Sequence, residues 1–430
     1  MAPKRIVLLT GNPLRSNPRV VKEAAALVDA GYEVTVHGAW SREGRGRRQT
    51  ADGIRREAEV GEAEGDILLA ARGGYAFVPL LPPNTMEGKL HRLVQRAARK
   101  FMPWSKWTLG LMPLVLEREA KRLKPDLAIA HSEAALFAAL ALHSRGTKVG
   151  VDMEDWFSED LPPEARRGRP VHLLREAEKQ LLNCAVHATC TTEAMTDALV
   201  AEYGCPRPER IYNVFPAPVI PDPVPLVDRS PAAKSLGGTQ SRGTSVRSIH
   251  WFSQTLGPGR GLEDLFAAAS GIGDDFEIHL RGTRGSYTTW LESAVPAALR
   301  SRVFIHELVS NEELPQRIAE HDIGFAGEAT SIRSRNLTAT NKIFQYLQSG
   351  LPVVASDTAG QQEVAARVRG AVRLYRSGSR TELQQALGEW LESPKKLAAA
   401  KATARDAAAE NFHWQKEKTR LLEAVAAALD

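Results

Sequence analysis

Strand and helix signals alternate along most of this chain of 430 residues, and that alternation constrains the fold more than any other feature. Near the start, an apolar run at residues 6–10 precedes a helical pattern at 17–30 and a second strand pattern at 33–38. Pro18 suits a first helical position, and Gly31 suits the residue after a helix end. A strand, a helix and a strand in this order predict a βαβ unit, and therefore a parallel sheet with helices on its faces.

The alternation stops once and then restarts. Residues 216–247 are rich in proline and then in glycine and serine, which is typical of a linker. We therefore predict two domains, residues 1–215 and 248–410, in agreement with the length of the chain. A final helical pattern in residues 411–430 is expected to cross back to the first domain. The predicted fold class is α/β, with two doubly wound, Rossmann-like domains facing across a cleft.

Composition excludes several classes of protein. Charged residues make up 25% of the chain, which is ordinary for a globular protein. The apolar runs are shorter than the roughly 18 residues that a membrane-spanning helix needs, and the first is too short for a secretory signal. Three cysteines without paired spacing are expected to be reduced, as in a cytoplasmic protein. Without an H-E-x-x-H motif or clustered cysteines and histidines, we predict no metal site.

The first domain carries a basic insert at residues 86–124. Residues 86–126 contain ten lysines and arginines against four acids. Leu90, Leu93 and Ala97 recur at helical spacing, mostly opposite the arginines, and Trp104 follows. This pattern predicts that residues 86–112 bind an anionic membrane surface. The alternative is a helix that packs on its own domain through the apolar stripe. Nucleic acid is not an expected partner.

Residues 341–357 give the strongest functional signal. They read as a short amphipathic helix, a glycine-proline break and a buried strand that ends at an aspartate. At the start of this helix, Asn341 and Lys342 offer free backbone N–H groups, the positive end of the helix dipole and an ammonium group to an anion. Gln345 lies one turn further on the same face. The sequence therefore predicts an anion-binding helix terminus.

This segment, N-K-I-F-Q-Y-L-Q-S-G-L-P-V-V-A-S, resembles the nucleotide-sugar-binding segment of GT-B glycosyltransferases, in particular the large family four. The loop at residues 11–20 and the run G-Y-E-V-T-V at residues 31–36 resemble the first loop and second strand of that family. One position departs, because Gln345 stands where the family usually has glutamate. The family's other common acid is absent too, since Leu337 stands at its place.

The resemblance implies an activity. It implies a hexosyltransferase that takes a sugar from a nucleotide-diphosphate sugar, in UDP or GDP form, which is a co-substrate, so that no cofactor is needed. The family is retaining and works without metal. The implied acceptor is a glycan, a lipid-linked glycan or a small molecule, and cell-surface polysaccharide or glycoconjugate synthesis is the expected setting. We expect a cytoplasmic enzyme, peripheral on the inner face of the membrane if the basic insert binds lipid.

The resemblance also implies donor-binding residues in the second domain. Arg260 offers a guanidinium fork to the diphosphate, and Gly261 lets the backbone approach it closely, although a tight turn with a solvated arginine explains the pattern as well. Lys342 is the second cation. The family's glutamate at Gln345 resembles an acceptor for ribose hydroxyls, and glutamine keeps one acceptor oxygen without the charge. Further donor-binding candidates at strand ends are Arg281, Gly282 and Glu328.

The first domain is expected to hold the acceptor. Gly11, Asn12 and Arg19 resemble the family's first loop and helix, although Arg19 would equally anchor its helix. Glu154 stands where the family has a histidine near the reacting sugar. In the acidic loop 152–160, Glu154 or Asp155 is a candidate general base, and His131 at a strand end is another. The alternatives are a solvated acidic loop and a structural histidine.

Two other function classes stay open. A sugar-nucleotide epimerase can use the same fold without any acceptor. A non-catalytic partner subunit of another transferase would carry changes such as those at Gln345 and Glu154.

Overall fold

A computed structural model describes residues 2–40, 64–166, 169–216, 235–242, 246–273 and 275–430. They form two compact units. The first contains Met1–Cys190, Thr196–Ile211 and Lys418–Asp430, and the second contains Thr191–Met195 and Tyr212–Glu417. Most of the predicted linker, at 217–234 and 243–245, lies outside the described residues.

Each unit is built on one parallel β-sheet. The strands are β1 (Arg5–Leu9), β2 (Glu33–Ala39), β3 (Ala76–Leu80), β4 (Leu127–Ala130), β5 (Val149–Met153), β6 (His187–Cys190), β7 (Glu209–Arg210), β8 (Arg247–Thr255), β9 (Phe276–Thr283), β10 (Val303–His306), β11 (Ile323–Ala326), β12 (Val353–Ser356) and β13 (Val372–Tyr375). The first sheet has seven strands in the order β3-β2-β1-β4-β5-β6-β7, and the second has six in the order β10-β9-β8-β11-β12-β13. In each sheet the order of the strands reverses beside the first strand, β1 or β8, while all strands stay parallel. This is the doubly wound arrangement. The predicted α/β class, with two doubly wound, Rossmann-like domains, is confirmed.

The helices connect these strands. They are α1 (Pro18–Asp29), α2 (Glu64–Arg72), α3 (Met86–Phe101), α4 (Met112–Leu123), α5 (Glu133–His143), α6 (Pro163–Arg166), α7 (Val171–Cys184), α8 (Glu193–Tyr203), α9 (Leu262–Ala269), α10 (Thr288–Ala294), α11 (Leu314–Ala319), α12 (Arg333–Leu337), α13 (Asn341–Gln348), α14 (Ala359–Arg367), α15 (Arg380–Leu391), α16 (Pro394–Asn411) and α17 (Trp414–Leu429). Among the described residues, no helix has both the length and the apolar character needed to cross a bilayer.

Local sequence explains where key elements begin. The Asn17 side chain accepts a hydrogen bond from Val20 N at 3.2 Å, which caps α1 ahead of Pro18. The central strands are buried on both faces, as parallel sheets covered by helices are. Because parallel strands end at one edge, the residues that follow β1, β4 and β5 share one edge of the first sheet. Those that follow β8, β11 and β12 share one edge of the second.

β3 was not predicted from the sequence. Its Pro79 weakens the strand signal, since proline cannot donate to a sheet. β3 lies at the end of the strand order, where a proline N is tolerated.

Part of the predicted linker has regular structure. Ser235 forms an antiparallel bridge with Phe304 of β10, and Leu236 N donates to Val303 O at 2.9 Å. β10 lies at the edge of the second sheet, so its outer backbone groups need such partners. Residues 235–242 therefore pack on the second unit.

The last helix begins in the second unit and ends in the first. From Lys418 onward, α17 groups with the first unit. Leu421 and Val425 are buried there, and Lys148 Nζ donates to Ala428 O at 3.0 Å.

Candidate functional site

A glycine-rich loop follows β8 at the carboxyl edge of the second sheet. Gly261 adopts a left-handed conformation with φ at 77°, and a Cβ atom there would lie 2.6 Å from the Gly327 Cα. Glycine is required, since a side chain would push the loop away from the turn after β11. Arg335 Nη1 donates to Gly259 O at 3.2 Å, which ties the loop to α12.

Lys342 lies at the start of α13, next to this loop. Its ammonium is buried and donates to Glu328 Oε1 at 3.0 Å, and it lies 5.5 Å from the centre of the Trp251 ring. Burial lowers the pKa of Lys342; the Glu328 carboxylate opposes the shift, and the charges of Arg260 and Arg335 add to it. Arg260 is therefore near enough to repel the Lys342 ammonium. One carboxylate and two guanidinium groups act on this lysine, so positive charge is in excess at the helix terminus.

Glu328 has an unused acceptor. Its backbone N donates to Ser356 Oγ at 2.8 Å, which ties the turn after β11 to the end of β12. Its Oε2 atom is buried and has no hydrogen-bond partner among the described residues. A buried carboxylate oxygen without a donor is costly, so this atom suits a ligand hydroxyl.

Asn341 and Gln345 share the helix face of Lys342. Gln345 is buried and Asn341 is half-buried. The spacings of three and four residues place all three side chains on one side of α13. Together with Arg260 and Gly261, they form the set of residues expected from the sequence to bind the nucleotide-diphosphate donor, and we call this set the phosphate pocket.

Arg281 and Gly282 are placed differently. Arg281 is buried and its Nη1 donates to Glu307 O at 2.8 Å, just after β10. A Cβ atom at Gly282 would lie 2.5 Å from Ser253 O, where the pairing of β8 with β9 is irregular. The contacts of these two residues are with neighbouring strands.

The first unit holds a buried ionic cluster at the carboxyl edge of its sheet. Arg19 donates from Nε and Nη2 to the two Asp152 oxygens at 2.5 and 2.8 Å. His131 lies between two carboxylates, with its Nδ1 3.3 Å from Asp152 and its Nε2 3.5 Å from Glu23. The Thr189 hydroxyl donates to Asp152 as well, at 2.8 Å.

These contacts determine the charges of the cluster. Burial would raise the pKa of Asp152, but the Arg19 charge and the His131 imidazole hold it well below its ordinary value. Burial would lower the pKa of His131, yet Glu23 and Asp152 raise it to about 10. A raised pKa favours the protonated form of His131, which does not suit this residue to the role of a general base. Burial raises the pKa of the half-buried Glu154, although the charge of Arg19 opposes the shift.

Glu23, His131 and Asp152 also place one potential ligand atom each within 4.8 Å of one another. One observation argues against a metal ion at this position. Arg19 already donates to both Asp152 oxygens. A divalent cation would therefore face the positive charge of the guanidinium.

The acidic loop after β5 is fixed by residues that the sequence analysis did not identify. Glu178 of α7 is buried, accepts from Ser158 N at 2.9 Å, and accepts from the Tyr203 hydroxyl at 2.7 Å. Glu159 pairs with Arg166 at 2.9 Å. Asp152 and Glu159 therefore have structural roles, and Glu154 and Asp155 remain the candidates for chemistry in this loop.

Gly11 and Asn12 follow β1 at the same edge. Gly11 N donates to Ser132 Oγ at 2.7 Å, and Asn12 is exposed. Arg19 lies in the buried cluster, where its Nη1 also donates to Ile211 O at 2.9 Å. The structure thus gives Arg19 an anchoring role.

Four residues that shape these sites were not predicted as site residues from the sequence: Glu23, Glu178, Arg335 and Ser356. Ser356 had a signal, because it ends the V-V-A-S strand of the recognised segment. The other three are ordinary charged helix residues whose partners are far away in the sequence.

Comparison with known families and structures identifies the relatives of this chain. A model described as Glycosyltransferase Family 4 matches residues 19–216, and one described as Glycosyl transferase-like matches residues 260–423. The predicted resemblance is confirmed. No curated protein matches the sequence.

Solved structures share the fold over the whole chain. Sucrose-phosphate synthase from Thermosynechococcus elongatus is 12% identical with a TM-score of 0.69, and 98% of each chain is covered. HepE from Anabaena, solved in complex with UDP-glucose, is 18% identical with a TM-score of 0.68, covering 98% of this chain and 99% of that one. A UDP-forming trehalose-phosphate synthase from Burkholderia xenovorans is 14% identical with a TM-score of 0.61, covering 99% and 100%.

Proposed function

We propose that this chain, a glycosyltransferase of the GT-B class, transfers a hexose from a nucleotide-diphosphate sugar to a glycan, lipid-linked or small-molecule acceptor. The observation that carries the proposal is the phosphate pocket. Arg260 and Lys342 come from two separate segments to the turn after β11. Gly261 lies against Gly327, and Glu328 accepts from the Lys342 ammonium at 3.0 Å. The two cations repel each other there, at the N-terminus of α13. A pyrophosphate carries about two negative charges there and would relieve that repulsion.

The donor binds with its diphosphate at Arg260, Lys342 and the N–H groups of α13. A ribose hydroxyl would donate a hydrogen bond to the side-chain oxygen of Gln345. Another hydroxyl of the nucleotide sugar would donate one to Glu328 Oε2, which has no partner among the described residues. Arg281 and Gly282 are the proposed neighbours of the nucleoside. The UDP-glucose complex of HepE supports a UDP-sugar donor, and a GDP-sugar fits the same charges.

The two cations also explain how the reaction would proceed without metal. The bond between the anomeric carbon and the β-phosphate oxygen breaks, and negative charge builds up on the leaving diphosphate. Arg260 and Lys342 stabilise that charge, as a metal does in other transferases. The acceptor oxygen forms the new bond, with retention at the anomeric carbon, and its proton goes to a carboxylate.

Glu154 is the proposed acceptor of that proton, with Asp155 as its neighbour in the same loop. Burial raises the pKa of Glu154, which moves it toward the range where a carboxylate is an effective base. His131 holds Asp152 and thereby the loop in place. Gly11 and Asn12, at the same sheet edge, are proposed to contact the acceptor. We place the enzyme in the cytoplasm, in the synthesis of a polysaccharide or glycoconjugate.

The test is turnover of a donor panel. Purified protein is incubated with UDP-, GDP- and dTDP-sugars, with and without glycan acceptors, and products are followed by mass spectrometry. We expect one donor to yield nucleoside diphosphate and, with an acceptor, a glycosylated product. Lys342→Met should lose this turnover, and Lys401→Met, a control in the same unit, should keep it.

Other outcomes would point to the other function classes. Release of free sugar and nucleotide at a rate that no acceptor changes would indicate an epimerase. Donor binding without turnover under every condition would indicate a non-catalytic partner subunit.

A further inference from the structure

Helix α3 is fixed to the first unit through a polar face. The His91 Nδ1 accepts from Leu111 N at 3.0 Å, and Arg92 Nη2 donates to Pro83 O at 2.8 Å. Glu87 pairs with Arg118 of α4 at 2.6 Å. Gly88 is buried so closely that a Cβ atom there would lie 1.9 Å from Pro82 O. These contacts hold one side of the helix and fix its rotation.

The apolar stripe of α3 therefore points away from the protein. Met86, Leu90, Leu93 and Phe101 lie along one side, at spacings of three, four and eight residues. Their exposed fractions are 82%, 50%, 65% and 65%, and Trp104, just beyond the helix, is 61% exposed. Of the stripe that the sequence predicted, Leu90 and Leu93 are exposed and do not pack on the domain as the alternative required, whereas Ala97 is half-buried. Single exposed apolar residues are ordinary, but a stripe of five large ones marks a contact surface.

Charges beside the stripe indicate what covers it. Lys89, Arg96 and Lys100 recur at spacings of seven and four residues, which places them in a row next to Leu93, and all are exposed. Lys106 follows Trp104 and is exposed as well. An apolar stripe with aromatic residues and a flanking basic row matches a lipid interface with anionic headgroups. A nucleic acid would use the basic row and leave the stripe in water.

The position of this surface agrees with the proposed acceptor site. α3 starts against Pro82, just past the carboxyl end of β3, and Met112 at the start of α4 lies beside Gly11. Both ends of the segment thus lie at the sheet edge that carries Gly11 and Asn12. A bilayer on the exposed stripe would place lipid headgroups near that edge.

We infer that α3 and Trp104 form a docking surface for an anionic lipid bilayer, through which the enzyme reaches a lipid-linked acceptor. The choice of acceptor depends on the proposed function, whereas bilayer binding does not. Leu90, Leu93, Phe101 and Trp104 enter the interface, and the basic row contacts the headgroups.

The experiment is vesicle co-sedimentation in the absence of donor. Vesicles of phosphatidylcholine alone are compared with an equal mixture of phosphatidylcholine and phosphatidylglycerol. We expect binding to the mixed vesicles that weakens with salt, and a blue shift of tryptophan fluorescence that Trp104→Phe removes. Leu93→Ser should weaken binding more than about tenfold, and Arg96→Gln about fivefold.

Matched controls carry the same changes elsewhere. The controls are Leu308→Ser, at a leucine of the second unit that is 46% exposed, and Arg300→Gln, at an exposed arginine of the same unit. Both should bind like the wild type. The inference is overturned if the protein does not bind mixed vesicles or if Leu93→Ser binds them as the wild type does. It is also overturned if the wild type is a dimer in solution that Leu93→Ser separates into monomers. Donor binding by Leu93→Ser without vesicles should be normal, so failure here is distinct from failure of the proposed function.

Discussion

Three side chains of the first unit, Arg19, Asp152 and His131, form a charged network in a buried position. Such a network is stable only when each charge has a partner, and here two guanidinium bonds and one imidazole neutralise Asp152. The network connects α1, β4 and β5 at the edge where acceptor chemistry is proposed. Its role is to hold that edge rigid.

The raised pKa of His131 predicts a stability that falls in alkali. The folded-state pKa of about 10 lies above the ordinary 6.5, so the stabilisation is complete below about 6.5 and is lost as the pH rises through 10. His131→Gln should lower the free energy of unfolding by about 3–5 kcal/mol at neutral pH. The variant should also lose less stability than the wild type between pH 7 and 10. Denaturant unfolding at several pH values measures both effects.

The exposed His143 gives the control, since His143→Gln should leave the pH profile unchanged. A wild-type stability that stays constant up to pH 10 would show that His131 is neutral in the folded state.

The lowered pKa of Lys342 predicts that donor binding has its own pH dependence. The ammonium attracts the diphosphate only while it is protonated, and burial lowers its pKa. As the pH rises, donor affinity should therefore begin to fall at a lower pH than it would if Lys342 had the pKa of an ordinary lysine. Titration calorimetry across the alkaline range measures this fall. Lys342→Arg stays charged throughout, so any affinity it retains should not change with pH.

At the scale of elements, the glycine-rich loop after β8 decides whether the phosphate pocket keeps its shape. Gly261→Ala places a methyl group 2.6 Å from the Gly327 Cα and forces a left-handed alanine. We expect donor affinity to fall at least tenfold. Gly259→Ala is the matched control, because its φ of 75° is similar and nothing lies within 4 Å of the added atom. It should cost only about 1 kcal/mol of stability.

Donor titration and thermal unfolding of the two variants separate these effects. Equal donor affinity in both variants would mean that the contact between the loop and Gly327 does not shape the pocket.

The elements that the sequence predicted well are those with local signals. α1 begins with the Asn17 cap and Pro18, and α13 is followed by Gly350 in a left-handed conformation. The buried strands are apolar runs. β3 lacked such a signal because of Pro79. For α3, periodicity predicted a helix but not its rotation, since the contacts of His91 and Arg92 that set it come from residues folded beside it.

The same limit applied to the sites. Recognised sequence segments located Lys342, Arg260 and Glu154. The role of Arg19 as an anchor, the partner of Lys342 and the protonation of His131 depend on residues brought together by the fold. No single-sequence pattern predicts such pairs, because their members lie on different elements and are 14 residues apart for Lys342 and Glu328 and 133 apart for Arg19 and Asp152.

At the scale of the whole molecule, each unit repeats one architecture, and α17 completes the first unit with residues from the far end of the chain. Leu421 is 2% exposed in that position. Leu421→Ala should destabilise the first unit by about 2–5 kcal/mol. Leu422→Ala, one residue along and half-buried, should cost less. Denaturant unfolding followed by intrinsic fluorescence measures both, and equal small losses would show that α17 contributes little to the first unit.

The central claim is that Arg260 and Lys342 bind the same pyrophosphate. A double-mutant cycle of donor affinity tests it most directly, with Arg260→Met, Lys342→Met, the double variant and the wild type titrated with the preferred nucleotide sugar. We expect each single change to weaken donor binding by about 1–3 kcal/mol. The double change should cost less than the sum, because the two cations repel each other and share one ligand. Unchanged affinity in both single variants would contradict the central claim.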